Sequence, residues 1–173
     1  MIDARKYKVK RQYLTLSTDA SIVNAAGVDY SAATARFSCK PIESSALMPQ
    51  ELLMIIEDVD TDYNKFGNLP ALTNGLRIVI ENSSNVEKLD LLGGQSIKQI
   101  TDVYRIGGHV EVLNDSTGAT RSTQIKIPLY VGDYAVKSYG QERVAVILSD
   151  DLSALPGLYF MLDYEPLGGA FGR

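Results

Sequence analysis

Alternation of apolar and polar side chains with a period of two is the feature that most constrains this chain, because it is what a strand needs to bury one face and wet the other. Ala35, Phe37 and Cys39 alternate with Arg36, Ser38 and Lys40, and Leu76, Ile78 and Ile80 alternate with Arg77 and Glu81. Ile125, Ile127 and Leu129 repeat the pattern against Gln124 and Lys126. Residues 52–56 (LLMII) and 144–148 (VAVIL) are continuous apolar runs, which predicts strands covered on both faces and central in their sheets. Further strands are predicted over 86–92, 110–113 and 158–164, with a polar, basic strand or arm over 7–16. The total is about eight or nine strands.

Turn chemistry separates these runs: Asn74-Gly75, Gly93-Gly94, Gly107-Gly108, residues 114–118 and Pro156-Gly157. Residues 49–52 and 96–104 depart from the pattern. In the second of them Ile97, Ile100, Val103 and Tyr104 have helical spacing and predict one short helix. The polar stretch from Asp58 to Leu72 is too long for a tight hairpin and is expected as a surface loop. The reading is all-β: an antiparallel β-sandwich with jelly-roll topology favoured, about eight strands and at most one short helix. With 173 residues, 45% hydrophobic and 22% charged, one domain can bury a sizeable core. Its expected parts are a basic arm or edge strand over 1–16, the sandwich over 17–166 and a glycine-rich tail over 167–173. The alternation also sets a register: a charge at Ile78 or Ile80 is expected to forfeit about 1.5 to 3 kcal/mol of burial, whereas one at Arg77 or Glu81 is expected to be mild.

Several function classes lose ground at this point. One cysteine allows no intrachain disulfide and no cysteine-based zinc cluster. No apolar run approaches a membrane span, the first dozen residues lack the apolar stretch of a signal peptide, and no cofactor is expected. Asp58, Asp60 and Asp62 start like a calcium loop, but Tyr63 stands where the sharp-turn glycine belongs and Leu69 where the bidentate glutamate belongs. A solvated acidic loop is favoured over a calcium site. Asp150 and Asp151 follow a buried strand and suit a turn in which side chains bond their own backbone. Adjacent extended residues point to opposite faces, so they make a poor acid–base pair. His109 has no ligand companions, and Cys39 sits on an apolar face that opposes ionisation, so both read as structural and a catalytic dyad is not expected.

Arg5, Lys6, Lys8, Lys10 and Arg11 gather five of the 17 basic residues into the first eleven of a chain with net charge −4. An edge strand guarded by its charges, or an arm that docks on an acidic neighbour, ranks above nucleic-acid binding. Tyr130, Tyr134 and Tyr139, around Gly132-Asp133 and Gly140, form the first candidate contact patch, since tyrosine combines an apolar ring with a polar tip. Phe171, within the glycine-rich end, is a further candidate for ordering on a partner.

Three segments carry a family resemblance: LMIIEDVDTDYNKFGNLPALTNGLRIVI, LLGGQSIKQITDVYRI and AVILSDDLSALPGLYFMLDYEP. A buried strand ending in an acidic loop, a Leu-Thr-Asn-Gly turn opening the next strand, an Ile-Lys segment and a late strand ending in Asp-Asp-Leu-Ser together resemble bacteriophage virion structural proteins with a jelly-roll or β-sandwich fold. The likeness spans about three quarters of the chain. It implies a non-enzymatic head, vertex, decoration or neck subunit. Such a subunit assembles in the host cytoplasm with copies of itself and other virion proteins, without membrane contact. A carbohydrate-binding or receptor-binding sandwich is the runner-up, weakened by the absence of Trp but kept open by ten Tyr. A small hydrolase using carboxylates paired only in space ranks third.

Overall fold

The computed structural model describes residues 9–41, 46–57, 62–114, 121–129, 134–139 and 141–167. The alternating segments become two antiparallel sheets. β1 (Lys10–Tyr13), β4 (Ala46–Glu57), β7 (His109–Asn114), β8 (Arg121–Pro128) and β11 (Gly157–Leu167) form one sheet in the order β1-β11-β4-β8-β7, with β9 (Val136–Lys137) added to β4. β2 (Thr15–Leu16), β3 (Ala35–Cys39), β5 (Arg77–Asn82), β6 (Glu87–Asp90) and β10 (Glu142–Leu148) form the other in the order β2-β3-β10-β5-β6. The two apolar runs lie on the middle strands, β4 and β10, as their covered faces require. The described residues hold eleven strands rather than about eight or nine, because the segment predicted over 7–16 divides into β1 and β2 and the chain adds the two-residue β9.

The inward faces follow the predicted alternation. Phe37, Met54, Ile80, Ile125, Val146 and Phe160 meet in one buried core, with Phe37 and Phe160 rings 5.8 Å apart between the sheets. Leu14, fully buried, lies where the chain passes from β1 in one sheet to β2 in the other.

Two departures from the sequence reading have clear causes. Residues 49–52 do not interrupt a strand: β4 runs through them, and the register against β11 slips between Asp163 and Tyr164 so that Gln50 is the extra residue. A bulge is where a strand tolerates a proline, because no ladder bond is then missing. The stretch expected as a surface loop also sends Phe66 and Leu72 into the core, with Phe66 fully buried. A hydrophobic plug in an otherwise polar segment leaves no periodic trace.

The predicted short helix is α1 (Ile100–Arg105), which buries Ile100 and Val103. Asp102 accepts the Lys98 and Gln99 backbone N–H groups at 2.9 and 3.0 Å, and the carbonyls of Lys65 and Tyr63 accept from Ile100 and Thr101. The first turn is therefore capped by the preceding loop. Gly107, at φ 78°, turns the chain out of the helix into β7.

Candidate interaction surface

The residues singled out from sequence divide sharply. Arg5, Lys6, Lys8, Asp58, Asp60, Tyr130 and Phe171 lie outside the described residues. Asp62 accepts the backbone N–H of Asn64 at 2.9 Å, a local turn bond. Among the described residues no group of three or more His, Cys, Asp or Glu side chains converges as a metal site.

Lys10 and Arg11 stand on the edge strand β1. Arg11 grips Asp163 of β11 with two bonds, Nε to Oδ1 at 2.6 Å and Nη2 to Oδ2 at 2.8 Å, and this pairing raises its pKa further. The guanidinium ties an edge strand to its neighbour rather than standing free for a phosphate. No helix among the described residues is long and apolar enough to cross a membrane.

Two of the three candidate tyrosines are described, and they play opposite parts. Tyr134 donates its hydroxyl to the buried Glu142 at 2.8 Å and packs against the core; burial first, and then that bond, raise its pKa. Glu142 also accepts the Lys137 N–H at 2.9 Å, so one carboxylate pins both ends of 134–137. Tyr139 stands out in solvent at 81% exposure, with the Lys137 ammonium 5.9 Å from its ring centre.

Sequence reasoning missed a second aromatic site. Tyr63, on the loop, and Tyr104, on α1, are 45% and 50% exposed, with ring centroids 6.2 Å apart and planes tilted by 59°. The loop carbonyls that cap α1 hold the two rings in place. Burial chiefly, then the neighbouring Tyr63 charge and hydroxyl, raise the Tyr104 pKa. The signal was present only as two tyrosines forty-one positions apart.

Asp150 and Asp151 also separate. Asp151 accepts the Ser153 N–H at 2.9 Å, the local turn bond expected of both. Asp150, only 6% exposed, instead reaches across the fold to the 73–75 turn. Its Oδ1 accepts from Thr73 at 2.7 Å and its Oδ2 from Gly75 at 2.8 Å, while the Asn74 N–H lies 3.1 and 3.2 Å from the two oxygens. Gly75 sits at φ 81°, and a Cβ there would lie 2.9 Å from the Ile97 carbonyl oxygen. The carboxylate is a staple for a turn that needs glycine.

The largest correction concerns Glu81. Alternation places it outward, and outward it is, yet it is 1% exposed. Arg36 of β3 bonds its Oε2 at 3.2 Å, and Arg143 of β10 holds its Oε1 with Nε and Nη2 at 3.1 and 2.9 Å. Three adjacent strands are thus laced across the outer face by an Arg-Glu-Arg arrangement, and a substitution there will not be mild. Beside it a shallow groove of about 120 Å³ is lined by Ser17, Thr18, Thr34, Arg36 and Asn85 together with Leu16 and Ala35, with no carboxylate on its wall.

Cys39 lies in the core of one sheet, whereas His109 is exposed on the edge strand of the other, so they form no dyad. Burial pushes the Cys39 thiol up to about 12. At pH 8 only about one thiol in 10⁴ would be ionised. Ellman's reagent is therefore expected to leave Cys39 unmodified in the native protein and to titrate one thiol in denaturant; a fast native reaction would show that β3 opens readily.

No family profile, curated protein or solved structure matches the chain. The surface must be interpreted from its own geometry.

Proposed function

We propose that this chain is a structural subunit of a bacteriophage virion, a capsid-associated, decoration, vertex or neck component. It acts by assembling with copies of itself and other virion proteins in the host cytoplasm, and it catalyses no reaction. We further propose that its sandwich is a jelly roll. One observation supports the jelly roll: β1 pairs with β11, β3 with β10, β4 with β8 and β5 with β6, and successive pairs alternate between the two sheets. That nested, alternating pairing supports the jelly-roll plan, which viral capsid and lectin domains use. Fold alone does not choose between those uses. Support for assembly comes from the three resembling segments and from the exposed rings of Tyr63, Tyr104 and Tyr139.

Light scattering on the purified chain, with and without its first eleven residues, tests the reading. Concentration-dependent association and co-purification with phage particles are expected. A strict monomer that never accompanies particles would sink it. The Tyr63–Tyr104 pair favours a second reading, a carbohydrate- or receptor-binding module, since sugars stack on exposed aromatic rings. A glycan array on which Tyr104→Ala abolishes a specific signal would favour that alternative.

A further inference from the structure

An edge strand offers unpaired backbone N–H and C=O groups to any passing strand unless something guards it. The edges of this sandwich are guarded unequally. β2 and β9 are two residues long. β6 is EKLD, three charges in four residues, with Glu87 and Asp90 both engaged by Arg77. β1 is KRQY and carries two cations. β7 is different: six residues, HVEVLN, with one carboxylate and no Lys, Arg or Pro, paired to β8 along its whole length without a bulge. Among the described strands β8 is its one partner. Leu113 is exposed on it, and Val110 lies only partly covered at the margin of the core.

We propose that β7 is where two copies of this chain join, antiparallel and edge to edge, so that their larger sheets become one continuous sheet across a twofold axis. The inference rests on the assembly reading and names its surface. An isologous pair is self-complementary, and an axis normal to the sheet passes midway between one residue and its own copy, so that central residue defines the register. Centring on Glu111 sets two like charges directly opposite, which is unfavourable. Centring on Val112 sets Glu111 against Leu113. Centring on Val110 sets Glu111 of each copy opposite His109 of the other, both exposed on the outer face, and brings the two half-covered Val110 side chains together on the inner face. The third register satisfies both faces at once and is the one assigned.

Sedimentation velocity on wild type, E111K and the double variant H109E/E111K, in which the carboxylate changes sides, tests the assignment. Both side chains are exposed, so melting temperatures should stay close to wild type and report that the fold is intact. The wild type should dimerise. E111K removes the carboxylate that faces each His109 and should weaken the dimer by about tenfold or more, and the double variant, which restores a carboxylate and a hydrogen-bond donor at the same contact, should return it to near the wild-type value. Dimerisation unchanged by E111K, or not restored by the swap, overturns the β7 pairing while leaving assembly through another surface intact. A wild type that stays monomeric also overturns it, and the assembly reading then falls only if the chain is also absent from particles.

Discussion

Asp150→Ala is expected to cost about 3–5 kcal/mol of stability. The magnitude follows from what the carboxylate leaves behind. Three consecutive backbone N–H groups, those of Thr73, Asn74 and Gly75, point at its two oxygens, and Asp150 is almost wholly buried. Buried donors with no acceptor each cost on the order of 1–3 kcal/mol, and bonds to an ionised acceptor are the stronger kind. The turn they belong to also aligns its neighbours: Leu72 donates to the Lys98 carbonyl and Leu76 to that of Ile97, so loosening it should expose Leu72 and Leu76 together. For a domain of this size the loss corresponds to a fall in melting temperature of roughly 10 °C. Asp150→Asn should recover little, because its amide nitrogen would confront N–H donors. Asp151→Ala, which removes one exposed turn bond, is the control and should change stability by less than about 0.5 kcal/mol. Equal effects from the two alanine variants in a denaturant titration would refute the staple.

Glu81→Ala should be the second severe change, at about 2–4 kcal/mol. Removing the buried carboxylate leaves the Arg36 and Arg143 guanidiniums facing one another with 25% and 15% of their side chains exposed. That residual solvation keeps the expected loss below the full penalty for an isolated buried charge. Arg143 keeps one other acceptor, Asn85 Oδ1 at 2.7 Å, which absorbs part of the damage. Arg77→Ala, on the same face but paired to partly exposed Glu87 and Asp90, should cost at most about 1 kcal/mol. If chemical denaturation places Glu81→Ala within about 0.5 kcal/mol of wild type, the three-strand lacing has no energetic role.

Both predictions fall on residues whose importance local sequence reading understated, and for the same reason. Asp150 and Glu81 each obey the local rule applied to them: one follows a strand as a turn residue should, the other takes the outward position of an alternating strand. What changes their role is a partner seventy-five positions away in the first case, and partners forty-five and sixty-two away in the second. Tyr63 and Tyr104 were overlooked in the same way, since only the capping of α1 by the loop brings them together. Phe66 was hidden in a polar stretch because a single plug has no period to detect. Tyr134 and Tyr139, alike in sequence context, differ because Glu142 draws the first inward and leaves the second outside.

Local rules did determine the all-β class, the one short helix, the two central strands and the inward faces of β3, β5 and β8. Those properties follow from side-chain period and apolar run length, which are written in consecutive residues and need no knowledge of neighbours. The order in which strands pair, the place of β7 at the end of its sheet among the described strands and the buried carboxylates on otherwise polar positions were decided only in three dimensions. Pairing energy and burial belong to contacts between segments far apart in the chain, and no local pattern encodes which segment will lie beside which.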